Sequence, residues 1–403
     1  MAPDDFVTPP HGVALAEFTL ALGGFALGTG EFASMGLLPN VAESVGTSIP
    51  ATGHMISAYA LGVVIGAPVL AAALARAGRR NLLIGLMTVF ALANIASACA
   101  WSYGSIVLAR FIAGLPHGTY FGVAALTAAS LAPPGKRAQA VGRMLLGLSL
   151  ANVLGVPFAT WAGQIGGWRV AFLIVAALGA ATAVLSWFCL NRMPAAIGAS
   201  PLRELGAFTR VQVWLTLGIA AIGFGGLFAV YSYITPMLMF VTGTSESTVP
   251  IILAIIGAGM VCGTFVGGWM ADRGVMRAVG ILLIFDLVML ALIPLTAHSL
   301  VAVSINMFLI GLTALAIGPA LQTRLMDVAA DAQTLAAALN HSAFNLANAL
   351  GAWAGGVAID AGWGWTSTGP IGAALAASGF GVYLVALRAD RRAEAEARVS
   401  ANR

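Results

Sequence analysis

Val13 to Leu38 reads VALAEFTLALGGFALGTGEFASMGLL, 26 residues dominated by Ala, Leu, Gly and Phe and interrupted by two carboxylates, Glu17 and Glu31. A helix of that length, rising about 1.5 Å per residue, is long enough to cross the roughly 30 Å hydrocarbon core of a bilayer. Glu17 lies within a turn or so of the nearer interface and reaches headgroups, so no role is assigned to it. Glu31, inside Gly28-Thr29-Gly30-Glu31-Phe32, is carried into the apolar depth. A charge there costs roughly 3 kcal/mol even on lenient insertion scales, and it usually marks an ion or proton pathway.

The rest of the chain has the same character. Of 403 residues, 60% are hydrophobic and 8% charged, against roughly 25% charged in a soluble domain. So few charges cannot cover a soluble surface of this size. Cys99, Cys189 and Cys262 are scattered through apolar runs with no Cys-x-x-Cys or Cys/His cluster, which argues against disulfides and a structural metal. The polar, acidic first 12 residues lack a basic n-region, and the run that follows is too long for a signal peptide, so it reads as a retained first span.

Twelve apolar segments follow one another, at 13–38, 51–74, 81–100, 104–131, 139–162, 169–190, 212–235, 249–271, 278–297, 301–321, 334–359 and 369–388. The expected organisation is a six-helix half over 1–190, a cytoplasmic linker 191–211 rich in Pro and Arg, a second half over 212–388 and a tail 389–403. With the N-terminus inside, 17 of the 19 Lys and Arg residues fall on one side, leaving Arg110 and Arg169 as exceptions. That bias predicts both termini in the cytoplasm. The halves also echo each other. Ala151-Asn152-Val153-Leu154-Gly155 matches Ala347-Asn348-Ala349-Leu350-Gly351 at an offset of 196, shared by Gly78 and Gly274. Two six-helix repeats of parallel topology are the mark of one large class of secondary transporter.

Local motifs sharpen this. Helix 1 ends in Glu31-Phe32 with Gly36-Leu37-Leu38-Pro39, and helix 2 carries Tyr59 and Gly66-Ala67-Pro68. Helix 4 holds Arg110-Phe111-Ile112-Ala113-Gly114-Leu115-Pro116-His117-Gly118. Helix 5 has Asn152 and Gly155-Val156-Pro157, then Gly167-Trp168-Arg169; helix 11 has Leu339-Asn340-His341, Phe344-Asn345, Asn348 and Gly351. On these residues the chain resembles the major facilitator superfamily, in its drug:proton antiporter branch, and within it the arabinose-efflux-permease and chloramphenicol-resistance type. The resemblance implies an all-α membrane protein of twelve transmembrane helices in two pseudo-symmetric halves, in the bacterial cytoplasmic (inner) membrane. Two positions depart from the pattern. Ala75 stands where the loop after helix 2 usually has an Asp before its Arg, although Asp272-Arg273 keeps the pair in the second half. Val156 separates the Gly and Pro that usually adjoin in helix 5.

Glu31 lies about seven residues from one end of helix 1 and Arg110 about six from the matching end of helix 4, both roughly 10 Å deep, so an ion pair between them is geometrically open. The resemblance puts helices 1 and 4 beside a central cavity. Glu31 is then the proton acceptor, and its protonation releases Arg110; the alternative is a permanent structural pair. His117, two turns on from Arg110, is a candidate proton relay, or a neutral interhelical hydrogen-bonding partner. Tyr59 could bond either charge, contact substrate or belong to an interfacial aromatic belt. His341, Asn345 and Asn348 form one polar stripe, which with Asn340, Phe344 and Asn152 either lines a substrate cavity or holds helices together. Asp286, mid-helix in helix 9, is expected to make a structural hydrogen bond. Arg76, Gly78, Arg79 and Arg80, with Asp272 and Arg273, are the candidate gating loops.

No Gly-x-x-x-x-Gly-Lys-Ser/Thr occurs, so there is no visible ATP site, and no His-Glu-x-x-His or Gly-x-Ser-x-Gly suggests an enzyme. The expectation is a transporter with no cofactor, energised by a proton gradient, exporting a small organic compound such as chloramphenicol, a sugar or a nucleoside. A proton symporter or uniporter importing a nutrient is the competing reading. Expected partners are the small-molecule substrate and membrane lipids, not nucleic acid, with a monomeric chain.

Overall fold

A computed structural model describes residues 11–74, 77–132, 137–191, 209–329 and 333–401, without the side chains of 71, 72, 137–139, 319, 326, 333–338 and 393–401. Ala75, Arg76, Lys136 and most of the expected linker lie outside the described residues. Among those residues the chain is helical throughout. α1 is Val13–Gly36, followed by a short helix Leu38–Val45; α2 is Ile49–Ala73, α3 Arg79–Ala98 and α4 Tyr103–Leu131. α5 runs Arg137–Leu150, Ala151–Gly155 as a π turn, and Val156–Gly166; α6 is Trp168–Cys189. α7 is in pieces, Val211–Gly218, a π turn Ile219–Gly223, Gly225–Tyr231, Ile234–Met237 and a second π turn Leu238–Thr242. α8 is Val249–Ala271, α9 Val275–Ala291 continued by Ile293–Thr296, α10 Leu300–Ala329, α11 Gln333–Asp360 and α12 Thr368–Ala401.

Ten of these are long and apolar enough to cross a membrane. α9 is shortened by a break at Leu292, just before Pro294, whose ring cannot continue the backbone ladder. α11 carries the Asn/His stripe that dilutes its hydropathy. With those two, the twelve-helix fold expected from the sequence is present. Arg79 and Arg80, expected in a loop, form the first turn of α3, with Gly78 as its N-cap.

The chain forms two compact units, one of residues 1–199 with 232–257, the other of 200–231 with 258–403. In the first, α2 and α4 cross at backbone contact. A Cβ on Gly62 would strike the Phe111 carbonyl, one on Gly66 the Leu115 carbonyl, and one on Gly114 the Tyr59 carbonyl. Small residues at such crossings let membrane helices approach and gain dispersion contact where no hydrophobic force drives them together. The second unit repeats the device between α8 and α10. Gly259 faces the Phe308 carbonyl and Gly263 the Leu312 carbonyl, each partner shifted by 197 residues from its counterpart. The repeat therefore extends from motif to packing register.

Candidate functional site

Four polar side chains meet in the first unit, all removed from solvent. Glu31 of α1 is 6% exposed, Tyr59 of α2 1%, Arg110 of α4 0% and His117 of α4 3%. The α2–α4 crossing brings Tyr59 over α4, and the seven-residue spacing of Arg110 and His117 puts both on one face, two turns apart. Tyr59 and His117 share a hydrogen bond, 2.9 Å from the phenol oxygen to Nδ1. His117 Nε2 lies 3.9 Å from a carboxylate oxygen of Glu31. The Arg110 guanidinium sits 4.3 Å above the Tyr59 ring and 5.4 Å from that of Phe172. It donates from Nη2 to the Gly30 carbonyl at 2.8 Å, while Nε and Nη1 find no acceptor among the described residues. Phe121, one turn beyond His117, closes that side with ring centroids 5.1 Å apart.

The cluster is a buried chain of protonatable groups, carboxylate to imidazole to phenol, with a fixed cation on the phenol's face. Two ring nitrogens facing two different partners let the imidazole hold a proton toward either. Glu31 also lies within electrostatic reach of Arg110. Here the low dielectric makes each charge felt by the others far more strongly than in water. The Tyr59 ring is packed inside the unit, so the interfacial-belt reading does not hold. Phe121, Phe172 and the Gly30 carbonyl were not legible as site groups, because aromatic and glycine residues are too common in this chain to stand out.

Of the other polar residues singled out in the sequence, Asn152 lies in the first unit. It sits in the π turn of α5, with Nδ2 donating to the Leu148 carbonyl at 3.0 Å. The rest are in the second unit, along α11. Asn340 donates to Gln322 of α10 at 2.7 Å, Asn345 donates to the His341 carbonyl at 3.1 Å, and Phe344 packs on Phe224 with centroids 4.6 Å apart. Asn348 is fully buried. Asp286 of α9 has the interhelical hydrogen bond expected of it, to the Thr313 hydroxyl of α10 at 2.7 Å. Glu17 corrects the reading that it merely reaches headgroups. It is buried and ion-paired with Arg143 of α5 at 2.7 Å, a long-range contact that no local pattern announces. At the candidate gates, Arg80 donates to the Trp187 carbonyl and lies over that ring, while Arg273 donates to the Trp269 carbonyl at 2.9 Å and stacks on its ring. Arg76 lies outside the described residues.

The chain is similar to known proteins over nearly its whole length. It is 42% identical over 376 residues to the inner membrane transport protein YdhP of Escherichia coli, covering 93% of this chain and 96% of that one. It is 35% identical to the putative transporter AraJ of Escherichia coli, over 85% of this chain and 88% of that one. To a chloramphenicol resistance protein of Streptomyces lividans it is 34% identical, over 84% and 87%. Two solved structures share the fold. The nucleoside transporter NupG matches at a TM-score of 0.74 and 13% identity, over 92% of this chain and 99% of that one. A bacterial homologue of the human lysosomal transporter Spinster matches at 0.73 and 19%, over 93% and 97%. YdhP is named as a transport protein and AraJ as a putative transporter, and the multi-pass chain is a protein of the bacterial inner membrane. With residues 20–337 also matching the model of the Major Facilitator Superfamily, the resemblance read from the helix motifs is borne out, and the chain belongs to that superfamily of small-molecule transporters.

Proposed function

We propose that this transporter exports a small organic compound by exchange for protons, with Glu31 as the group that takes the proton. The observation that carries this reading is the Glu31–His117–Tyr59 chain with Arg110 seated on it. With Glu31 ionised and His117 neutral, the carboxylate and guanidinium cancel. When Glu31 takes a proton, Arg110 is left as an uncompensated buried cation. That state costs several kcal/mol in a low-dielectric interior, enough to drive a rearrangement. His117 relays the proton and reports its arrival to Tyr59. Export, rather than import, is favoured by the likeness to a protein named for chloramphenicol resistance. The substrate class that fits the motifs is a small uncharged or weakly amphipathic compound, such as a chloramphenicol-like drug, a sugar or a nucleoside, and that relative's name supports the drug. The proton gradient is the sole energy source in this reading, the working unit is one chain, and both termini lie in the cytoplasm.

Proteoliposomes with an entrapped pH-sensitive dye test it, with candidate drugs, sugars and nucleosides added singly. A substrate-triggered proton flux is expected whose sign is that of exchange. In Glu31→Gln the flux disappears while passive equilibration of substrate persists. Uphill transport retained in Glu31→Gln would remove Glu31 from coupling, and a flux of opposite sign would make the protein a symporter.

A further inference from the structure

Among the described residues three carboxylates are buried, Glu17, Glu31 and Asp286. Two of them have a cation within reach. Glu17 pairs with Arg143, and Glu31 lies within electrostatic reach of Arg110. Asp286, in the second unit, has no role in the proton chain proposed above, and no cation pairs with it among the described residues. It lies on the buried stripe of α9 with Val279, Leu283 and Leu290, three to four residues apart on one helix face. The helices packed most closely on α9 are α10 and α12, and their charges stand far along them. Arg277 opens α9 nine residues before Asp286, about 14 Å along the axis. Arg324 follows Thr313 of α10 by eleven residues, about 17 Å. Asp390 of α12 is bound to Arg324 at that same end, and Arg388 is two residues from it.

The hydrogen bonding around Asp286 fixes its protonation. Thr313 Oγ1 lies 2.7 Å from Asp286 Oδ1 and 2.8 Å from the Ile310 carbonyl oxygen. A hydroxyl has one proton to give. Were Asp286 ionised, carboxylate and carbonyl would compete for that proton, and one of them would face oxygen lone pairs at hydrogen-bond distance. With the carboxyl protonated, Asp286 donates to Thr313, Thr313 donates to Ile310, and both short contacts are satisfied. The rest of the seam between α9 and α10 is neutral. Two turns before Thr313, Asn306 donates to the Met289 carbonyl at 3.1 Å and to the Thr296 hydroxyl at 2.9 Å. An anion with one hydroxyl donor and no cation is strongly disfavoured in such surroundings, whereas a neutral acid that donates a hydrogen bond is not.

We infer that Asp286 is a proton-binding site of the second unit, a carboxylic acid at neutral pH whose proton is given in a hydrogen bond to Thr313. That proton is resident, joining α9 to α10. It is separate from any proton taken by Glu31, and the inference holds whichever group couples transport.

Infrared spectroscopy of the full chain, in an ester-free maltoside detergent at neutral pH, tests it. A protonated carboxyl absorbs at higher wavenumber than amide or carboxylate groups. A protonated-acid band is expected that is absent from Asp286→Asn and retained in Glu31→Gln, so failure here and failure of proton coupling at Glu31 are read separately. In Thr313→Val, which removes the acceptor and keeps the acid, the band moves to higher wavenumber. Aspartate labelled with carbon-13 in its side-chain carboxyl shifts the same band downward in the unaltered chain, which serves even where Asp286→Asn fails to fold. Loss of carboxylate absorption alone in Asp286→Asn overturns the site, as does a labelled chain with no aspartic acid band. A band abolished by Glu31→Gln and kept in Asp286→Asn overturns it too, and a band that Thr313→Val leaves in place overturns the bond to Thr313.

Discussion

A guanidinium with no exposed surface, one carbonyl acceptor and an aromatic face beneath it, as Arg110 has, is held by its surroundings rather than by solvent. Truncating it takes the buried cation away from within reach of the Glu31 carboxylate, so Arg110→Ala is expected to cost about 3–5 kcal/mol. Adding Glu31→Gln removes the anion that the guanidinium offset. The double variant should therefore be more stable than Arg110→Ala alone, a non-additivity that thermal unfolding in detergent measures. Strictly additive losses would mean the two groups do not sense each other. Tyr59→Phe is a milder probe, because it deletes the phenol oxygen on His117 Nδ1 and keeps the ring beneath Arg110. A stability loss of about 1 kcal/mol is expected, together with proton flux weaker than substrate flux in the same vesicles. Equal loss of both would make the hydroxyl structural. The intramembrane charges were legible in the sequence because Glu31 and Arg110 have no business in apolar runs. Their nearest partners were not, since contacts such as His117 to Glu31 depend on how two helices rotate against each other, which no single helix records.

At the scale of elements, the α2–α4 crossing is what assembles the site. Gly114 leaves room for the Tyr59 carbonyl, so a methyl there pushes α2 away where Tyr59 should reach His117. Gly259, at the corresponding crossing of α8 and α10, supports no such cluster. Shifted by the same 197 residues, the counterparts of Glu31, Tyr59, Arg110 and His117 are Phe228, Ile256, Met307 and Ala314, all apolar. Both Gly114→Ala and Gly259→Ala are expected to lower the unfolding temperature. Gly114→Ala alone should also lower the ratio of protons to substrate moved, as read from dye and radiolabel in one vesicle preparation. Loss of that ratio in Gly259→Ala as well would tie coupling to general packing. Helix positions were readable from apolar run length, because a continuous apolar run of about 20 residues in lipid satisfies its own backbone groups only as a helix. The breaks at Leu37 and at Ser232–Tyr233 were not foreseen. The first depends on Pro39 and is served by a tertiary donor, Thr235, that stands some 200 residues away in the chain; the second falls where Pro236 denies the Ser232 carbonyl its helical donor.

For the whole molecule, the twelve spans were legible, while the membership of 232–257 in the first unit was not, since that is a property of packing and not of hydropathy. The arginines illustrate how one residue serves two scales. Arg80 and Arg273 each cap a helix carbonyl, Arg143 pairs with Glu17, and Arg324 Nη2 donates to both carboxylate oxygens of Asp390 at 2.6 and 2.7 Å. All four lie toward the helix ends that the charge bias predicts to face the cytoplasm. Local pairing of this kind does not erase that bias, because Asp and Glu contribute little to topology while each Lys or Arg resists translocation. A fluorescent protein fused after Arg403 is therefore expected to mature and fluoresce, and alkaline phosphatase fused there to stay inactive. The orientation matters beyond bookkeeping of loops. Glu31 is five residues from the end of α1 at Gly36, about 8 Å along the axis, so the side on which that end lies determines which compartment loads the carboxylate. With the termini inside, that compartment is the exterior, and external acid should accelerate export. An active phosphatase fusion would put the short path to Glu31 on the cytoplasmic side and turn the same cluster into one suited to proton release.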